Sequence, residues 1–413
     1  MSLREISRAL LDGAISPSER HPFSPRFEAE RVADGTLFVS SFANVAAFET
    51  SDGLVAIDTG SFFLAEPTRV LLRRLSQAPL HTAVFTHGHV DHCFGVERYE
   101  SEEGARRVHV VAHEALPARF DRYKLTRGYN GAINARQFQV ADMFPDTFRY
   151  PDQTYRDALT LSCGGRRFEL HHALGETDDH TWVWAADAGV LCTGDLFIWA
   201  SPNCGNPQKV QRYPREWAVA LRAMAKLDAE VLCPGHGVPI FGASDVRRAL
   251  EETAELLETL VEQTLAWMNR GATLDRILQE VKAPPRLLER PYLSPIYDEP
   301  EFIVRNLFRL YGGWYDGNPA HLKPAPEARL AAELASLAGG ARKLSARAVS
   351  LAAAGERRLA CHLIELAVQA APDDAEVHRL RQQIYEERAA AETSLMAKGV
   401  FAGAARESAE RGD

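Results

Sequence analysis

The sequence predicts an α/β domain followed by an all-α domain. Three observations lead there. Short apolar runs ending in Gly, Asp or His recur through residues 27–270 and alternate with amphipathic helical stretches. Beyond residue 270 the strand-like runs vanish. From 331 the chain is rich in Ala and Leu at 3.6-residue spacing, the period of packed helices. At 413 residues, two or three domains are expected.

Residues 1–26 form a polar lead-in. The runs "GTLFVSSF", "NVAAFET" and "GLVAIDTG" carry strand-and-turn signals. "AEPTRVLLRRLSQ" reads as an amphipathic helix with its proline early, where a missing N–H is harmless. "HTAVFTHGHVDH", "RVHVVAH", "RRFELHHA", "TWVWAADAGVLCTGD" and "AEVLCPGH" read mostly as strands, and helices are expected at Pro214–Leu227 and from Ser244 to about Asn269. The alternation gives a sheet domain, residues 27–270, whose polar residues gather at strand ends, where α/β sites form. Residues 271–330 are a Pro- and aromatic-rich connector with enough rings to pack against something. In the helical domain, 331–413, Gly355 and "APDD" (371–374) break a long stretch into about three helices, and "AVQAAPDDAEVHRL" looks like a TPR-like hairpin.

Fifty-six acidic residues against 47 basic ones give a net charge of −9. That argues against a nucleic acid or an anionic membrane as partner, though a small site can still be locally positive. The six cysteines, Cys93, Cys163, Cys192, Cys204, Cys233 and Cys361, contain no CxxC pair and suit a reducing compartment. No export signal and no apolar run of roughly 18 residues is read, so a cytoplasmic protein without a membrane span is expected.

The chemistry concentrates in "THGHVDH" (86–92), which follows an apolar run. Its pattern is H-x-H-x-D-H: His87, His89, Asp91 and His92. A lone histidine is ordinarily a surface or hydrogen-bonded residue. Four such groups in six positions are not, because a tight loop after a strand can turn them toward one divalent ion. Further candidates follow in "GETDDH" (175–180), "LCTGD" (191–195) and "LCPGHG" (232–237).

These four stations resemble the metallo-β-lactamase-fold hydrolases, with one departure: Glu176 stands where that family usually has a histidine. The departure resembles the alkylsulfatase branch, which places a glutamate there and a bridging carboxylate nineteen residues on, here Asp195. Asn203 matches an asparagine of that branch, and "LYGGWYDGNPAHL" (310–322) with the helical tail resembles its dimerisation domain. The resemblance implies an αββα metallo-β-lactamase sandwich followed by the helical domain. It implies two divalent metal ions, zinc first with manganese or iron as alternatives. His87, His89 and Glu176 would hold one ion, Asp91, His92 and His236 the other, and Asp195 would bridge them. Asp91 and Asp195 are the expected catalytic carboxylates, with Asp58 and His180 as supports of the ligands. The competing reading of Glu176 makes it a surface residue and His180 the ligand.

Two Asn-, Gly- and Arg-rich stretches, 126–138 and 201–213, read as loops able to hold a tetrahedral anion. Their candidates are Tyr129, Asn134, Arg136, Asn203, Lys209 and Arg212. The branch has an arginine thirteen positions after the bridging carboxylate; here that position is Gln208. His109, His113, His171 and His172 are expected at strand ends or the surface, Cys93 as a packed residue and Cys204 near the substrate loop. The expected function is metal-dependent hydrolysis of a small anionic ester, a sulfate ester first, by a homodimer joined through its helical domain. The alternatives are hydrolysis of a lactone, thioester, phosphoester or β-lactam on the same scaffold, and a non-catalytic dimeric binding protein.

Overall fold

The computed structural model describes residues 1–102, 106–141 and 144–412. The chain forms two compact units: Met1–Arg127 with Pro145–Trp314, and Gly128–Phe144 with Tyr315–Asp413.

The first unit holds two sheets. Seven strands, β1 (Glu28–Ala33), β2 (Thr36–Ser40), β3 (Val45–Thr50), β4 (Gly53–Ile57), β5 (Leu80–Val84), β6 (His109–His113) and β7 (Gln153–Tyr155), lie in sequence order. Six more, β8 (Ala158–Cys163), β9 (Arg166–Ala173), β10 (His180–Ala185), β11 (Val190–Gly194), β12 (Val231–Pro234) and β13 (Ile240–Phe241), form the second sheet in the order β13 to β8. Pairing is parallel from β4 to β7 and between β11 and β12, and antiparallel elsewhere. Apolar residues of both sheets share one core, where Phe48 of β3 meets Phe168 of β9 edge-on at 5.1 Å.

Helix Ala65–Leu75 packs on β1 and β2, while Pro214–Met224 and Ala243–Met268 cover β9, β12 and β13. The layering is therefore αββα, as expected. Covered on both faces, β2, β4 and β11 are buried at every position, which is why they read as unbroken apolar runs. The edge strand β8 alternates exposed and half-buried residues.

The lead-in is more than polar chain. Leu3–Leu11 is a helix with a capping box at Ser2 and Glu5, and it buries Leu3, Ile6 and Leu10 in the core. Much of the connector is also core: Ile277, Leu287, Leu293, Ile303 and Leu307 are fully buried in the first unit. Its aromatic residues divide, since Tyr292 and Tyr297 are buried whereas Trp314 and Tyr315 are exposed.

In the second unit, Gly355 and Asp374 do separate three helices, Ala341–Ala353, Arg357–Ala370 and Ala375–Ala391. Helices Glu327–Ala338 and Leu395–Gly412 flank them. Alanines let the helices approach closely around Ile364, Val377 and Ile384. The stretch 126–138, expected as a loop, is helical over Arg127–Phe138 and belongs to this unit. Its Gly and Asn residues disfavour helix locally, but packing decides: a Cβ on Gly399 would lie 1.9 Å from the carbonyl oxygen of Gln137. Among the described residues, no helix is long and apolar enough to cross a membrane.

Candidate metal centre

Strand ends build the centre. β4 ends one residue before Asp58, β5 three before His87, β11 immediately before Asp195 and β12 two before His236. Glu176 lies in the turn between β9 and β10. Parallel pairing of β4 with β5 and of β11 with β12 brings these ends to one rim.

Two donor groups result: His87, His89, Glu176 and Asp195, and beside them Asp91, His92 and His236. His87 Nε2 lies 2.8 Å from His89 Nδ1, 3.8 Å from Glu176 Oε2 and 3.9 Å from Asp195 Oδ2. In the second group, His236 Nε2 lies 3.5 Å from Asp91 Oδ2, and His92 Nε2 lies 3.7 Å from the same oxygen. Asp195 reaches both groups, with Oδ1 3.3 Å from His92 Nε2 and Oδ2 3.4 Å from His236 Nε2. All seven are buried except His89 and Asp91, which are partly exposed.

Backbone geometry permits this crowding. Gly194 turns in the left-handed region at φ 50°, and a Cβ there would strike His180 and Thr86. A Cβ on Gly235 would lie 2.0 Å from Asp195 Oδ1, so only glycine leaves room for that carboxylate.

Outer contacts fix the donors. Asp58 accepts from His92 Nδ1 and from Thr86 N and Oγ1, each at 2.7 Å. That hydrogen bond sets the His92 tautomer and leaves Nε2 bare. His236 donates from Nδ1 to the Phe42 carbonyl. His180 does not join the donors; its Nε2 accepts the Asp195 backbone N–H at 3.1 Å and its ring stacks on His87 at 4.7 Å. Glu176, by contrast, is fully buried among them.

A divalent cation fits this chemistry. His92 Nε2, His236 Nε2, Glu176 Oε2 and Asp195 Oδ1 are buried and make no hydrogen bond. Unpartnered buried polar atoms are costly unless something else satisfies them. Donors held about 2.1 Å from one ion would stand about 3.4 Å apart, and the separations here run from 2.8 to 3.9 Å around that value. Electrostatics agree. Burial pushes the Glu176 carboxyl well above its usual range, and Asp195 pushes the same way against Arg212. Burial also opposes ionisation of Asp195, but His236 and His92 hold it well below the usual range. Two touching carboxyls thus want opposite states, and a divalent cation is what lets both ionise.

The proposed anion-binding residues divide. Asn203 donates to Glu176 Oε1. Arg212, fully buried, donates to the carbonyls of Asn203 (3.3 Å) and Val210 (2.7 Å) and lies 3.5 Å from Glu176 Oε1. Burial, reinforced by Arg212, pushes the half-buried Lys209 down to about 8, with Asp91 and Glu176 opposing. Tyr129, Asn134 and Arg136 lie on the helix of the second unit, so they are not in the unit that holds the seven donors. Tyr129 is exposed, and the stem of Arg136 lies against Gly403.

The other histidines stay apart from the donors: His109 meets Gln153 at 3.1 Å, His113 stacks on His172 and His171 on Trp182. Cys93 donates to the His87 carbonyl, and Cys204 is buried. Further support comes from a pair of which only Arg119 escaped sequence reasoning, Asp179 having read as either a ligand's partner or a solvated turn residue. Asp179 accepts the Gly88 N–H at 2.8 Å, bracing the histidine loop from outside, and buried Arg119 holds Asp179 at 2.9 Å while also pairing with Asp178. Nothing in "LPARFDRYKL" distinguishes Arg119 from a solvated helix residue.

Asp195→Asn is therefore expected to cut the divalent metal retained after gentle purification to below half of the wild-type content, read by elemental analysis. Asp179→Asn should weaken metal affinity about 10–100-fold in chelator competition with all seven donors intact. His109→Ala should change neither; comparable losses in all three would mean the centre lies elsewhere.

Comparison with known proteins agrees with this geometry. The profile of the metallo-beta-lactamase superfamily matches residues 41–236, and that of alkyl sulfatase dimerisation matches residues 273–411. The chain is 29% identical over 353 residues to a linear primary-alkylsulfatase of a Pseudomonas strain, covering 79% of this chain and 66% of that protein. It is 26% identical over 377 residues to an (R)-specific secondary-alkylsulfatase of Pseudomonas, covering 84% and 57%. The solved structure of a stereoselective inverting sec-alkylsulfatase from Pseudomonas shares the fold, with a TM-score of 0.83 at 23% identity over 93% of this chain and 66% of that one. The chain thus spans between just over half and just under two thirds of the length of these relatives. It is a metallo-β-lactamase-fold protein that resembles the alkylsulfatase branch, and its residues 273–411 match the profile of alkyl sulfatase dimerisation.

Proposed function

We propose that the chain hydrolyses a sulfate ester with two divalent metal ions, zinc first, held by the seven clustered residues. His87, His89 and Glu176 would bind one ion and Asp91, His92 and His236 the second, with Asp195 shared. The observation that carries this reading is the convergence of buried, unpartnered donor atoms on two adjacent points joined by one carboxylate. Ions bound there would supply Lewis acidity and hydroxide at neutral pH.

The protein's own residues do the rest. Asp58, Asp179 and His180 hold the ligand rings and loop in place, so that little reorganisation accompanies reaction. Asn203, which donates to Glu176, and Lys209, within electrostatic reach of Asp91 and Glu176, would offer an amide donor and a positive charge to the anionic head of the ester. Arg212 is spent on the carbonyls of Asn203 and Val210, so it aims Asn203 and adds charge without presenting a free fork. The alkylsulfatase relatives and the dimerisation segment favour a sulfate over other esters. We further read the helical segment 331–413 as the surface of a homodimer and the cytoplasm as the site of action. Gln208, where the resemblance implies an arginine, favours one second reading: a different ester on the same centre.

Metal-loaded protein should release inorganic sulfate from medium-chain alkyl sulfates and lose that activity to a chelator, with recovery on adding zinc back. Turnover that ignores chelator would sink both hydrolase readings, while turnover of another ester without sulfate release would select the second.

Inhibition by inorganic sulfate should follow Lys209. Its cationic form binds the anion and predominates below about 8, so the inhibition constant should rise as pH climbs through that range. Lys209→Met should inhibit weakly at every pH and lose the rise; an unchanged profile would remove Lys209 from the anion site.

A further inference from the structure

The connector holds more than the core. Segment 201–206, which presents Asn203, is tied to it at both ends. The Ser201 N–H donates to the Ser294 carbonyl at 2.9 Å, and the Gly205 N–H donates to Asp298 Oδ2 at 2.5 Å. Gly205 presses on the first turn of helix Pro300–Gly312, where a Cβ would lie 2.2 Å from the Ile303 nitrogen. Asn306 of that helix donates to the Arg212 carbonyl at 3.1 Å, and the Arg212 guanidinium donates in turn to the Asn203 carbonyl at 3.3 Å.

Asp298 is the unexpected part of this clasp. It is fully buried, and its oxygens face backbone N–H groups, Oδ2 that of Gly205 and Oδ1 that of Glu299 at 2.7 Å. Burial pushes its carboxyl up to about 7; the two N–H groups and Arg212 oppose the rise, and the charge of Glu299 adds to it. Burial also raises the neighbouring Cys204 thiol, with Asp298 adding to that shift. A buried carboxylate that ionises near neutrality is costly as mere scaffolding, and such groups gather where function uses them. Only the ionised form accepts from both N–H groups, because a protonated carboxyl turns one oxygen into a donor.

We infer that Asp298 is a positioning residue for the anionic head of the ester, acting through the Gly205 N–H on the segment that carries Asn203. The inference rests on the sulfate-ester reading above and adds a residue of the connector to it. Its sign is opposite to that of Lys209. Anion binding has full strength where Asp298 is ionised and weakens as pH falls through about 7.

The test titrates metal-loaded full-length protein with inorganic sulfate by calorimetry from about pH 6 to 9, with metal content checked at each pH. Sulfate keeps its charge throughout, so any change belongs to the protein. Wild type should bind best between about 7 and 8 and lose affinity on either side. Asp298→Asn should bind about tenfold more weakly at its best pH, keep the alkaline decline and lose the acidic one. Asn203→Ala, which retains Asp298, should lose the acidic decline too, and the double variant should bind no more weakly than Asn203→Ala alone. An acidic decline that survives in Asp298→Asn, or losses that add in the double variant, would overturn the proposal. So would a wild type whose affinity stays level below about 7. If Asp298→Asn fails to retain metal, the Asn203→Ala profile decides, and an acidic decline surviving there reduces Asp298 to a prop of the fold. If wild type bound no sulfate at any pH, the sulfate-ester reading would fall and this inference with it.

Discussion

One buried carboxylate constrains the first unit. Asp195 must touch His92, His236 and His87 from a single position, so the ends of β5, β11 and β12 have to meet within a few ångströms. The left-handed turn at Gly194, the bare Cα of Gly235 and the acceptor that His180 offers to the Asp195 N–H all serve that placement. A larger side chain at Gly235 would displace the carboxylate itself, and one at Gly194 would strike the His180 ring and Thr86, both buried and held by hydrogen bonds.

Holding buried donors this close together is unfavourable in itself, and the fold offsets this by fixing donors from behind. Asp58 sits in the left-handed region at φ 59°, which aspartate tolerates, and gathers Thr86 and His92. Arg119 and Asp179 perform the same service for the loop carrying His87 and His89. These supports come from β4, from the turn before β10 and from helix Leu116–Leu125, so preorganisation is spread over the whole unit. The lead-in belongs to that scheme too, because its Phe23 ring packs directly on a donor histidine.

Much of this was legible in the residues. Strands buried on both faces leave unbroken apolar runs, and a histidine-rich loop after such a run has little structural reason to exist without a ligand. Glu176 was marked by the resemblance to the alkylsulfatase branch, and it is found buried among the donors. The misses have physical causes. Edge strand β1 carries Glu28, Glu30 and Arg31, and edge strand β8 leaves every second residue from Ala158 to Ser162 exposed, so "EAERVA" and "ALTLSC" lack a core-strand signature. Helix Arg127–Phe138 contains residues with poor helix propensity and exists through close contact with helix Leu395–Gly412, a long-range effect no local window holds. Arg119 and Phe23 act through contacts with residues distant in sequence, and composition around them is ordinary.

The claim at the centre of this account is that the seven residues form a site completed by divalent cations through Asp195. Thermal unfolding of chelator-stripped protein against free zinc tests it without reference to any substrate. Each ion bound only by the folded state should stabilise by about 2.7 kcal/mol at one hundred times its dissociation constant. The wild-type midpoint should therefore climb steadily with the logarithm of free zinc, and that of Asp195→Asn should climb much less. A wild-type midpoint indifferent to zinc, or an equal rise in both proteins, would contradict the account.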